Sequence, residues 1–176
     1  MPWNLTAYPC TVTNCTSADA MLVRYDAGIS GQKKVMRPLQ AGTGNNVGGI
    51  DLGSSPQSWT VTSIRTPWPL IAVHKVGRTT GWTSGPITQT CINWFAKSGG
   101  ASGQQIEEVC VQEVQARADA GDSGSPVLES LSTTSAAAQG IEFGNFDPGF
   151  SGQNWLFYYV AWAPIQTRLG LTLTPY

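Results

Sequence analysis

The chain has 176 residues, a net charge of -1, 41% hydrophobic residues and only 12% charged ones. That length fits one domain, or two very small ones, with apolar material enough for a core. No basic patch or charge run marks a nucleic-acid binder, and no segment approaches the roughly 18 continuous apolar residues of a membrane helix.

The N-terminus, MPWNLTAYPC, has neither a charged leader region nor an apolar run, so it does not read as a signal peptide. Four cysteines, an even number, allow two disulfides. Asn4-Leu5-Thr6 and Asn14-Cys15-Thr16 have the form of glycosylation acceptors. Low charge, paired cysteines and abundant Ser, Thr and Gly point to a secreted, extracellular protein. Seven tryptophans, twenty glycines and eleven prolines favour short strands and turns over helices.

In chain order, Ala20–Tyr25 reads as a short, mostly buried strand. From about Gly31 to Ser58 the chain is rich in Gly, Asn, Gln and Ser and predicts a long connection with little regular structure. Strand signals return at Trp59–Ile64 and Leu70–Val76. Pro86–Phe95 and Ile106–Ala116 flank the flexible stretch Lys97–Gly103 and predict a hairpin. Cys91 and Cys110 stand nearly equidistant from its tip, within disulfide reach across the pair. Cys10 and Cys15 could bridge a small loop, or one could pair elsewhere. Further strands are expected at Ser125–Leu128, Ala136–Phe143 and Trp155–Trp162. Pro164–Leu169 predicts a short helix, opened by Pro164 and closed by Gly170. The plan is all-β with a terminal helix.

The most telling segment is Gly121-Asp122-Ser123-Gly124-Ser125-Pro126-Val127. A serine between glycines, ahead of an apolar strand, sits on a turn that a side chain would block. Such a turn can aim the N–H groups of Gly121 and Ser123 at one point, where an oxyanion could form. The glycine-rich run Gly42–Gly49 loosely echoes a dinucleotide loop, but it follows no strand and opens no helix, so that reading is discarded. No metal-ligand constellation and no cofactor motif is visible.

Gly121–Val127 resembles the nucleophile loop of the trypsin/chymotrypsin-like serine protease superfamily, in its bacterial branch. Four more segments follow that family's order. Ser17–Leu22 resembles the stretch carrying the triad aspartate. Val76–Gly85 resembles the strand-turn-strand opening the second barrel. Gly140–Gly144 resembles the strand lining the specificity pocket, and Pro164–Gly170 resembles the terminal helix. The implied fold is a double β-barrel, with the second barrel complete, the first represented only by its last strand or strands, and a short C-terminal helix. Residues 1–30 would be the first-barrel remnant, 31–66 the inter-barrel connection, and 67–176 the second barrel.

The resemblance implies peptide-bond hydrolysis through an acyl-enzyme at Ser123. A serine hydroxyl needs a base, and the base needs a carboxylate to orient it. Asp19 fits the carboxylate, with Asp26, on what looks like an exposed turn, as its rival. Asp122 would hold the oxyanion hole in shape through a buried ion pair, with Arg78 as the candidate partner. Arg117 or Ala118 would lie near the floor of the substrate pocket, and Glu142, Phe143 and Gly144 along its wall. A basic floor would favour acidic side chains.

The single histidine, His74, follows the aspartate instead of preceding it. It reads as an exposed or half-buried strand residue, not as the base. Three explanations compete: a truncated or processed piece, favoured by a Met1 start inside a barrel; one chain of a two-chain enzyme; or a pseudoprotease that binds peptides without cleaving them. The chain alone is expected to be nearly inactive. Its expected partners are a peptide or protein substrate and a polypeptide supplying the histidine, with no nucleic acid and no membrane.

Overall fold

The computed structural model describes residues 15–16, 31–97, 105–147 and 155–170. The Ala20–Tyr25 strand, the hairpin tip, Cys10, Asp19, Asp26 and the Asn4 triplet lie outside the described residues. Strands dominate: β1 (Cys15–Thr16), β2 (Lys34–Arg37), β3 (Gly42–Thr43), β4 (Gln57–Ile64), β5 (Ala72–Gly77), β6 (Gly81–Lys97), β7 (Gln105–Val114), β8 (Pro126–Ser130), β9 (Ser135–Phe146) and β10 (Leu156–Ala161) precede one helix, α1 (Trp162–Leu169).

Six of these strands close a ring. β5 pairs with β6, β6 with β7, β7 with β10, β10 with β9, β9 with β8, and β8 with β5, every pairing antiparallel. Closure leaves no free edge within the ring and gives each strand an inner and an outer face. In β5, Val73, Lys75 and Gly77 are buried while Ala72 is exposed and His74 and Val76 are half-buried. Val73, Ile87, Val114, Val127, Phe157 and Tyr159, drawn from five strands, pack with Ala116 and Ala118 as the inner core. Small barrels need strongly coiled strands, and bulges supply the bend. The 17-residue β6 shifts register against β7 at three places between Ile87 and Trp94. Within this irregular stretch Cys91 and Cys110 form a disulfide that ties β6 to β7.

Two layers cover the barrel. On one side α1 lays Ile165, with Trp162 and Leu169, over Val111, Tyr158 and Val160. The helix ends as expected, with Gly170 left-handed at φ 61° and its N–H bonded to the Gln166 carbonyl. It begins two residues before Pro164, which still lies in the first turn, where a missing N–H costs nothing. On the other side β4 runs parallel to β9 and antiparallel to β2. Its Trp59 packs on Leu128 and Ala136, with Val35, Val61, Val76 and Trp82 around them.

The strand expectations from Trp59 onward match the observed strands, with β6 starting five residues earlier than read. The run from 31 to 58 departs from expectation, because it carries β2 and β3. Lys34–Arg37 is not a typical strand sequence; its extended state is imposed by pairing, with Val35 opposite Trp59.

The Cys91–Cys110 bridge closes a loop with a sequence separation of 19. Replacing both cysteines with serine should lower stability by about 3 kcal/mol, read as a shift in the urea midpoint. An unchanged midpoint would show that the bridge does not constrain the unfolded chain.

Candidate active site

Ser123 is exposed, between Gly121 at φ 98° and Gly124 at φ 90°. Both angles lie in the region that side-chain-bearing residues avoid, which explains the two glycines. The loop is pinned from below. The Asp122 N–H donates to Asp119 O, Ser125 N–H to Asp122 O, and Gly124 N–H to Glu142 O, all within 3.0 Å. The N–H groups of Gly121 and Ser123 find no acceptor among the described residues. The Ser123 hydroxyl donates to Phe143 O at 3.2 Å, so β9 lies directly beside it.

Asp122 turns the other way, into the barrel. Its Oδ2 receives Lys75 Nζ at 2.9 Å, the Thr80 hydroxyl at 2.6 Å and Asp119 N–H at 3.1 Å. Its Oδ1 receives Thr79 N–H at 2.7 Å and Thr80 N–H at 3.2 Å. Lys75 and Asp122 form an ion pair in which both side chains are fully buried. Burial pushes the Asp122 carboxyl up, but the Thr80 hydroxyl, the Lys75 ammonium and the Thr79 N–H outweigh it and bring its pKa to about 2. The approach also needs Gly77, since a Cβ there would collide with the Asp122 carboxylate.

This corrects the expected partner of Asp122. Arg78 is exposed and lies over Gly121, where a Cβ on that glycine would strike its guanidinium. The reason is strand alternation. Lys75 shares the inward face of β5 with Val73 and Gly77, whereas Arg78 falls in the turn after the strand has left the barrel. Lys75 is placed inward by the burial of its face-mates Val73 and Gly77, which the residue types of Val73-His74-Lys75-Val76-Gly77 do not by themselves announce.

Glu142 is also corrected as a pocket wall. Its side chain is buried, with Oε2 lacking any partner. Burial, foremost, and the Asp122 charge push its pKa up to about 8 against the pull of Lys75. Only its backbone, which grips the loop at Gly124 and Ser125, can face a ligand. Ala118 likewise belongs to the inner core and is not accessible as a pocket floor. Arg117 is half-buried, with its guanidinium 4.4 Å from the Trp155 ring, an N–H on Asn45 O at 3.4 Å and Asp119 at 4.0 Å. Phe143 and Gly144 stay together beside Ser123, backed by Trp94, whose ring meets Phe143 edge-on at 5.4 Å.

His74 sits on the outer face of β5. It stacks on Trp59 at 5.4 Å and accepts the Trp82 indole N–H on Nδ1 at 3.1 Å. That bond places the ring proton on Nε2. Burial lowers its pKa, so the neutral form is favoured.

Two outcomes test this electrostatic reading. Lys75→Met should cost about 3–5 kcal/mol by stranding a buried carboxylate, whereas Arg78→Ala should stay within about 0.5 kcal/mol; urea unfolding at neutral pH distinguishes them, and equal losses would refute the assignment. For Glu142 the folded pKa lies above its ordinary 4.5, so its contribution is complete below that pH and is lost as pH rises to about 8. Stability measured across that window should therefore fall less in Glu142→Gln than in the parent. Parallel profiles would mean that Glu142 does not titrate there.

No protein-family model matches this sequence, and no curated protein matches it either. The fold does have solved counterparts. Cellulomonas bogoriensis chymotrypsin superposes with a TM-score of 0.58 at 20% identity, over 87% of this chain and 67% of its own. A glutamic-acid-specific serine protease gives 0.56 at 21%, over 86% and 65%. Thermobifida fusca protease A gives 0.52 at 24%, over 71% and 59%, so the chain spans under two thirds of the length of the latter two. The chain thus has the chymotrypsin-like β-barrel fold of these bacterial serine proteases.

Proposed function

We propose that this chain carries the nucleophile half of a serine endopeptidase, forming an acyl-enzyme at Ser123. The observation that supports this best is the exposed Ser123 hydroxyl on a loop with two positive-φ glycines, braced by the buried Lys75–Asp122 pair. In this reading the Gly121 and Ser123 N–H groups stabilise the oxyanion, and Asp19 orients the base. The base is a histidine supplied by a further polypeptide segment or chain, because His74 is committed to Trp82 and Trp59. Phe143 and Gly144 line the substrate pocket. Arg117 lies at its far end and favours acidic side chains. The Cys91–Cys110 disulfide supports secretion, and among the described residues no helix is long and apolar enough to cross a membrane.

Mechanistically, the base would take the Ser123 proton as Oγ attacks the carbonyl carbon, and return it to the leaving amine; water then releases the acyl group. The buried ion pair keeps Asp122 from reaching solvent, so the backbone on either side of it stays fixed. One observation favours a second reading, a pseudoprotease that binds peptides without cleaving them: the chain's single histidine is part of the Trp59–Trp82 cluster.

A fluorophosphonate probe and casein discriminate these readings. The chain alone should label and cleave very slowly, because losing one triad member leaves only about 10³–10⁴-fold catalysis over water. Adding the histidine-bearing segment should raise labelling, and Ser123→Ala should abolish it. Strong labelling of Ser123 by the chain alone would show that a group within it serves as base. No labelling even with the added segment would leave the binding module.

A further inference from the structure

Glu142 lies in β9 beside the serine loop, and it is only 1% exposed. Its Oε2 has no hydrogen-bond partner, and among the described residues it joins no ion pair. Buried carboxyls ordinarily have their oxygens satisfied, so this one calls for a reason. The same residue is built into the loop. Its carbonyl accepts the Gly124 N–H at 2.8 Å, and its N–H donates to Ser125 O at 3.0 Å. The next carbonyl, that of Phe143, receives the Ser123 hydroxyl at 3.2 Å. A displacement of Glu142 therefore reaches Ser123 through backbone bonds.

A cation lies close enough to act on it. Lys75, fully buried, places one ammonium proton on Asp122 at 2.9 Å and one on the Thr80 hydroxyl at 2.8 Å. An ammonium has three donors, so a third finds no acceptor among the described residues. Lys75 from β5 and Asp122 from the loop are the charges that act on Glu142. From β10, Tyr159 stands opposite it in register, its own phenol pushed up by burial and by Glu129. Glu129, on β8, is held by Arg65 and Gln139. With Glu142 protonated, Lys75 and Asp122 balance each other. Ionisation adds a second buried anion, and two carboxylates then compete for one ammonium.

We propose that Glu142 is a positioning residue that sets the Ser123 loop by its protonation: protonated, it leaves Lys75 wholly to Asp122 and the loop braced; ionised, it draws on Lys75 and loosens the brace. Burial first, then the Asp122 charge, pushes its carboxyl up to about 8 against the pull of Lys75, so the change belongs to mildly alkaline pH. The effect on reactivity rests on reading Ser123 as the nucleophile; the effect on the loop does not.

Carbon-detected NMR of the intact chain, from about pH 6.5 to 9.5, tests the loop. The Glu142 side-chain carboxyl carbon should titrate, and the carbonyl carbons of residues 121–124 should step at the same midpoint. Glu142→Gln, a mimic of the protonated acid, should remove that step. Prolonged labelling with a fluorophosphonate in excess tests reactivity. The ratio of the Glu142→Gln rate to the parent rate should rise about tenfold across the range, less than the loss of an oxyanion donor would cost. Loop carbons that step with Glu142 while Ser123 stays unlabelled would uphold the loop device and refute the nucleophile reading. Loop carbons that stay flat, a step that persists in Glu142→Gln, or a labelling ratio independent of pH would overturn the proposal.

Discussion

The interaction on which the rest depends is the buried pair of Lys75 and Asp122. An ammonium and a carboxylate withdrawn from water cost several kcal/mol each unless their attraction and hydrogen bonds offset it. Here the offset is thorough: the carboxylate accepts from Thr79, Thr80 and Asp119 as well as Lys75. Those donors come from the β5–β6 turn and from the segment leading into the Ser123 loop. One aspartate therefore sets the distance between a hairpin of the barrel and the loop that presents the serine. The neighbouring Glu142 has its carboxyl pushed up to about 8, by burial first and then by the Asp122 charge, against the pull of Lys75.

The outer face of the barrel follows a different logic. Trp59, His74 and Trp82 stack and hydrogen-bond across three strands, and Arg37 lies over Trp59. Aromatic contacts of this kind join β4 and its partner β2 to a barrel that is already closed. The single histidine is thereby a structural residue, held neutral by its surroundings, and its contribution to stability is present above its ordinary pKa of 6.5 and lost as pH falls below it.

Much of this was legible in the sequence. Gly121 and Gly124 announced a turn with positive φ, Gly170 announced a helix end, and the position of the two cysteines about the Gly-rich tip announced the cross-strand bridge. Local chemistry fixes each of these. The partner of Asp122 was harder, because a lysine in a strand is ordinarily solvated and nothing local says that its face points inward. Only the burial of Val73 and Gly77 on the same face does so. The inward turn of Glu142 was hidden for the same reason. β2 was missed because its strand state comes from pairing with β4, which sequence composition does not record.

Barrel closure has a consequence for how the chain acquires its structure. Among the described residues β10 is the last ring strand in chain order, and it seals the ring between β7 and β9. β4 must also find β9 in parallel, joining Thr60 to Ser135 across the intervening chain. Such pairings bring together distant segments before any of them is rewarded, and topologies of this kind fold slowly. Until Leu156–Ala161 has emerged, the facing edges of β7 and β9 stay open as templates for other strands. The emergence of β10 thus governs whether a nascent molecule closes on itself or joins its neighbours.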